Sequence, residues 1–390
     1  MKILMISPCP MHPSNQGNRA RVRSLCHAIQ LAGHEVDFLN VIMEAGDTDK
    51  DRLFVGDSHY HSVEFNFNEA PLSIVRRFVK KFTDRQFMFY VNNGLDDYCS
   101  IKTVNFVKDL DQVRGYDVLW VEYIFFSRIL EHFGCEKLKV LDTHDRFTDR
   151  YKLYIQNHMP YRWFSVSGED EKKALLRADV IIAIQEEEGR IFEHLIEGQR
   201  RVSVIGHHVT LSKLPLSNPK AMLFLASGND LNIMTIQHFI KEIFPMVRRE
   251  VSDAELIIAG SVCNHLQVEA AGIRMIGIVE TLETAYAMAD IVINPISKGT
   301  GLKIKNVEAL AFHRALVTSS NGAEGLDCAG NTHFIVADEP EECAKAIVGL
   351  MKDEAQLARI ADSGYSYAQG FNEAAAREID AVLSLEKIMR

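Results

Sequence analysis

The stretch MKILMISPCPMHPSNQGNRARVRSLCHAIQLAGHEVDFLNV (residues 1–41) decides the fold. Lys2 to Ser7, KILMIS, is a short continuous apolar run, the pattern of a strand buried on both faces. The loop PCPMHPSNQGN follows, and RARVRSLCHAIQLAG then reads as a helix closed by Gly33. HEVDFLNV supplies a second strand. Together these make one βαβ unit, so a parallel sheet with right-handed crossovers begins at residue 1.

The same alternation runs outward. YDVLWVEY (116–123), LKVLDTHD (138–145), ADVIIAIQ (178–185) and RVSVIGHHV (201–209) continue it. LSKLPLSNPK (211–220) has two prolines and no periodicity and reads as a linker. A second set of strands starts at AMLFLASG (221–228) and continues through AELIIAGS, IRMIGIV, IVINPI, ALVTSS and HFIVAD, with helices between. The expected fold class is α/β, two doubly wound Rossmann-like domains over 1–210 and 221–371. Ligands of such sheets sit outside the carboxyl ends of the strands, and two such edges are expected to face one cleft.

Length supports this division, because 390 residues exceed a usual single domain of roughly 150. A net charge of −10 argues against a nucleic-acid partner. The apolar runs are strand-sized, so no segment is expected to span a membrane, and the proline-broken start does not read as a signal peptide. Seven cysteines are scattered without a CxxC pair, which fits reduced thiols in a cytoplasmic protein and neither disulfides nor zinc.

One element carries a conflict. In GTGLKIKNVEAL (299–310) a helix after Gly301 advances about 100° per residue and groups Ile304, Val307, Leu310 and Ala311 on a buried face. Glu308 projects within that arc, where a carboxylate is costly unless paired. It serves either a ligand or a lysine. Lys305 lies about 60° away on the helix surface.

These residues resemble the family 4 retaining glycosyltransferases of the GT-B fold (glycosyl transferases group 1). The likeness is carried by SNQGNRARVRSLCHAIQLAGHEV (14–36), VLDTHD (140–145) and RADVIIAIQEEE (177–188). It is carried above all by GIVETLETAYAMADIVINPISKGTGLKIKNVEALAFHRALVTSSNGAEGL (277–326). The resemblance implies a nucleotide-sugar donor, UDP- or GDP-linked, held mostly by the C-terminal domain. It implies transfer to a glycan, lipid-linked or protein acceptor with retention of configuration, no cofactor and no essential metal. It also implies that the last helix, within 372–390, returns to the N-terminal domain.

Residue by residue, Glu308 matches the second of two glutamates eight positions apart and would hold the ribose hydroxyls. Thr300 occupies the first position, near the donor sugar; it can hydrogen-bond there without a charge. That departure keeps open a catalytically silent partner subunit, and a nucleotide-sugar epimerase is the other enzymatic reading. Gly299 and Gly301 would let the diphosphate approach a helix N-terminus. Lys305, and with less claim Lys303, would neutralise it, and Gly277 opens the matched run. Gly228 and Asn232 stand where many relatives carry a basic residue. Gly17 and Arg21, beside Arg19 and Arg23, form an anion or acceptor site at a helix start. His144 and Asp145 fall at a strand's carboxyl edge, with a histidine expected beside the donor sugar; the spacing of Asp142 and Asp145 is wrong for a metal.

IVRRFVKKFTDR (74–85) is amphipathic and basic, and reads either as a contact for anionic membrane or a lipid-diphosphate acceptor, or as an ordinary packed helix. If it docks on membrane, changing Arg76, Arg77, Lys80 and Lys81 to Gln weakens binding to anionic vesicles at low salt, each charge contributing roughly 1 kcal/mol. Unchanged vesicle binding in sedimentation assays would assign the segment to packing.

Overall fold

The computed structural model describes residues 1–14, 16–65, 94–156, 164–268, 270–299, 302–326 and 331–385. The basic segment 74–85, Thr300 and Gly301 lie outside them. Two units result: Met1–Gly206 with Ala374–Arg390, and His207–Glu373.

The N-terminal unit holds β1 Lys2–Ser7, β2 Glu35–Ile42, β3 Tyr60–Glu64, β4 Val118–Glu122, β5 Leu138–Asp142, β6 Val180–Ala183 and β7 Arg201–Val204. They form a parallel sheet in the order β3-β2-β1-β4-β5-β6-β7. Ile3 stands in register with Val36 on one side and Val118 on the other. Successive residues of β1 are buried on opposite faces. Leu4 and Ile6 join Leu119, Val121, Phe126 and Phe192 in one core. Ile3 and Met5 join Val118, Trp120 and the helix residues Val22, Leu25 and Ile29 in the other. Ile379, Val382 and Leu383 of the long closing helix Glu354–Ser384 complete that second core.

The C-terminal unit holds β8 Ala221–Leu225, β9 Glu255–Ala259, β10 Ile273–Gly277, β11 Ile291–Asn294, β12 Ala315–Thr318 and β13 Ile335–Val336. The sheet is parallel, in the order β10-β9-β8-β11-β12-β13. The strand order reverses between β1 and β4 in one sheet and between β8 and β11 in the other, and ligand crevices form at such points.

The long helical stretch after β8 is divided: Asp230–His238 is α-helical, Phe239–Ile243 is a π-helical turn and Phe244–Glu250 is α-helical again. Pro245 lacks the N–H that a continuous helix needs, and the widened turn accommodates it. The proline-bearing stretch 211–220 is not loose. Ser217 and Asn218 donate their N–H groups to Asp290 (2.9 and 2.8 Å), and Arg314 donates to Pro215 O (3.0 Å). Arg314 also pairs with Asp290 at 3.0 Å, and both side chains are buried.

Among the described residues no helix is long and apolar enough to cross a membrane. Arg314→Ala strands Asp290 as an uncompensated buried charge, so it should destabilise the C-terminal unit by about 3–5 kcal/mol. Urea unfolding followed by circular dichroism measures this; a loss under about 1 kcal/mol would show that the pair is dispensable.

Candidate functional site

In the N-terminal unit the site residues sit after β1, β4 and β5, around the strand-order reversal. Gly17 opens the helix Gly17–Leu31, whose N-cap, Gln16, makes no side-chain cap bond. Arg19 is bound to Glu44 (3.0 Å) and the Ala45 carbonyl (2.9 Å). Arg21 corrects the expectation of a phosphate or acceptor contact. It is 1% exposed, forks onto both oxygens of Asp142 at 2.9 Å, and donates from Nη1 and Nη2 to the Ile205 carbonyl at 3.1 Å. Its guanidinium faces inward because a carboxylate at a strand end, sealed from water, needs a cation.

His144 lies on the same edge. Its Nε2 meets Glu122 Oε2 at 2.5 Å, and its ring stacks on Tyr123 with centroids 3.9 Å apart. Both His144 (φ 61°) and Tyr123 (φ 70°) adopt the left-handed conformation that L side chains rarely take, and such strain concentrates at functional sites. Glu122 is fully buried, and its Oε1 has no hydrogen-bond partner among the described residues. Burial, and then the neighbouring Asp142, push its carboxyl above the ordinary range, against the opposing pull of His144 and Arg21. The sequence reading passed over Glu122, although an acid closing an apolar strand was the available signal. Asp145 is committed to Arg150 at 2.5 Å. Glu122, Asp142 and His144 lie close enough to share a cation, and Arg21 already supplies one at Asp142.

In the C-terminal unit the helix Ile304–Ala311 follows β11 with Lys303 at its N-cap and no side-chain cap. Glu308 is 4% exposed. Its Oε2 meets Lys305 Nζ at 2.9 Å and accepts a longer bond of 3.4 Å from the Tyr286 hydroxyl. Burial and the adjacent Glu308 raise the Tyr286 phenol well above its ordinary value. Lys303 Nζ lies 3.3 Å from Glu324 and is the more buried lysine, its side chain 11% exposed against 26% for Lys305.

The loops around this helix are sewn by polar side chains that the sequence reading did not single out. Asn306, fully buried, accepts from Asn294 Nδ2 (2.8 Å) and donates to Gly322 O (2.7 Å) and Thr318 Oγ1 (3.2 Å). Asn321 donates to Gly299 O at 3.1 Å, and Gly299 has φ 133°, which favours glycine.

After β8, Gly228 donates to Ser261 Oγ at 2.9 Å. The Asn232 amide donates to Ser227 O at 3.0 Å, which holds the loop and commits that donor within it. Leu231 lies 3.8 Å from where a Cβ on Gly299 would stand, so the loops after β8 and β11 meet. Gly228, Gly299, Lys303, Lys305 and Glu308 therefore follow the two strands that flank the reversal. Gly277 does not join them: it ends the edge strand β10, with β9 and β8 between it and β11.

Residues 219–353 match the family Glycosyl transferases group 1. An "Uncharacterized 44.6 kDa protein in cps region" of Klebsiella pneumoniae is 22% identical over 94% of this chain and 95% of its own length. Sucrose-phosphate synthase of Thermosynechococcus elongatus superposes with a TM-score of 0.67 at 15% identity, covering 100% of both chains. The pneumococcal O-GlcNAc transferase GtfA, solved with UDP and GlcNAc, superposes with a TM-score of 0.66 at 11% identity, over 98% of this chain and 99% of its own. The fold is the pair of parallel-sheet Rossmann-like domains of GT-B glycosyltransferases, and the family match supports glycosyl transfer.

Glu122→Gln tests the buried acid. An acid whose folded pKa is raised stabilises the fold while neutral, and that contribution drains away as pH rises through the raised value. The melting temperature of the wild type should therefore fall relative to Glu122→Gln as pH climbs above about 4.3, the ordinary glutamate value. Parallel melting curves across pH 4 to 8, recorded at about 0.15 M salt, would refute the raised pKa.

Proposed function

We propose that this protein transfers a sugar from a nucleotide-sugar donor, UDP- or GDP-linked, to a glycan, lipid-linked or protein acceptor, with retention of configuration and without a metal. The observation that carries the reading is Glu308, buried behind the β8/β11 reversal with one oxygen held by Lys305 and Tyr286. A carboxylate fixed in this way suits the two vicinal hydroxyls of a ribose, since charge-assisted bonds are stronger than neutral ones. The uncapped start of the helix Ile304–Ala311 and the two lysines beside it suit the diphosphate. The relative solved with UDP and GlcNAc supports a UDP-linked donor, and the resemblance in sequence supports retention. His144, set by Glu122 and Tyr123, is our assignment for contact with sugar hydroxyls. The protein acts in the cytoplasm on this reading.

A second reading follows from one residue. Thr300 stands where the resembling enzymes carry a glutamate, and a silent partner subunit would bind donor without turning it over. A panel of nucleotide-sugars, assayed with and without EDTA, separates the two. Hydrolysis or transfer that survives the chelator supports the enzyme; binding without turnover supports the partner.

Glu308→Gln tests the ribose role. Losing a charge-assisted bond costs about 1.5–3 kcal/mol, so affinity for UDP or GDP should drop roughly ten- to a hundredfold. The drop should shrink for the 2′-deoxy analogue, and melting temperature should hold or rise. Equal losses for ribose and deoxyribose ligands in calorimetric titration, with a destabilised fold, would leave Glu308 as the partner of Lys305 alone.

A further inference from the structure

The C-terminal unit's carboxyl edge is short of free positive charge. Lys303 is offset by Glu324 at 3.3 Å, and Lys305 by Glu308 at 2.9 Å. The loop after β8, ASGNDLN (226–232), contains no cation and adds Asp230 to the first turn of the helix Asp230–His238. A diphosphate held there needs cations as well as amides, because burying an anion beside carboxylates is unfavourable.

The neighbouring loop supplies a side-chain N–H donor, the imidazole of His265. Ser261–His265 forms a 3-10 turn after β9, and two glycines let it close onto the end of β8. Gly260 has φ 93°, and a Cβ there would stand 2.2 Å from Ala226 O. A Cβ on Gly228 would lie 2.6 Å from His265 Cδ2 and 2.7 Å from its Nε2. The imidazole therefore lies over the backbone one residue before Asn229, the N-cap of the helix Asp230–His238. His265 is exposed and has no partner among the described residues. Lys298, exposed in the loop after β11, also has no such partner.

We infer that His265 is a diphosphate-binding residue of the donor site, contributing from the β9 loop a side-chain N–H donor where the β8 loop has no cation. The inference rests on the nucleotide reading above. It explains why Gly228 carries no side chain: the ring and the phosphates both need that backbone surface.

The test is calorimetric titration of the full chain with UDP and GDP, and with uridine and guanosine as phosphate-free counterparts. His265→Ala should weaken binding of the diphosphate roughly tenfold and of its nucleoside by less than about twofold. His265→Lys, which keeps a side-chain N–H donor, should bind the diphosphate within about threefold of wild type. Wild-type diphosphate affinity in His265→Ala, or an equal loss for nucleoside and diphosphate, overturns the role of His265 and leaves the nucleotide reading standing. A wild type that binds neither diphosphate overturns both.

Discussion

A carboxylate at the end of a fully buried strand must find a cation, and the N-terminal unit meets that constraint with Arg21 on Asp142. The middles of β1 and β4 are apolar on both faces, and the buried polar side chains Ser7, Glu122 and Asp142 stand at the carboxyl ends of β1, β4 and β5. Asp142 is the last residue of β5, and Arg21 reaches it from the helix that follows β1. The fork also takes the Ile205 carbonyl, which ties the chain just past β7 to the same point. Glu122 and His144 stand close to Asp142, and burial first, then the charge of Asp142, pushes the Glu122 carboxyl upward.

The C-terminal unit meets the same constraint with neutral groups. Asn294, Asn306, Thr318 and Asn321 close the loops after β11 and β12 with amide and hydroxyl bonds, and the Lys303–Glu324 and Lys305–Glu308 pairs flank them. Buried amides of this kind fix geometry because each unmade bond would be costly. One edge is thus built around buried charge and the other around a neutral scaffold that presents charge at its rim.

Much of this was legible in the amino-acid order. Period and turn residues located twelve of the thirteen strands among the described residues, most of them because parallel strands buried on both faces read as unbroken apolar runs. The one missed, β3 (YHSVE), is an edge strand with polar alternation, where that signal fails. Glu308 was legible as a conflict between a buried face and a charge. The role of Arg21 was not, because its partner is 121 positions away and nothing local distinguishes an inward arginine from an outward one. Nor was His265, whose significance depends on two glycines bringing separate loops together.

The closing helix has a consequence for biosynthesis. Ala375, Ile379, Val382 and Leu383 fill the core that β1, β4 and the first helix began, yet the whole C-terminal unit is translated in between. At about 5–20 residues per second, the nascent N-terminal unit waits roughly ten to thirty seconds with that apolar face open to water. It emerges from the ribosome as a domain that cannot finish alone. Its exposure to chaperones, and to misassembly, is therefore set by how quickly the later half is made and folds.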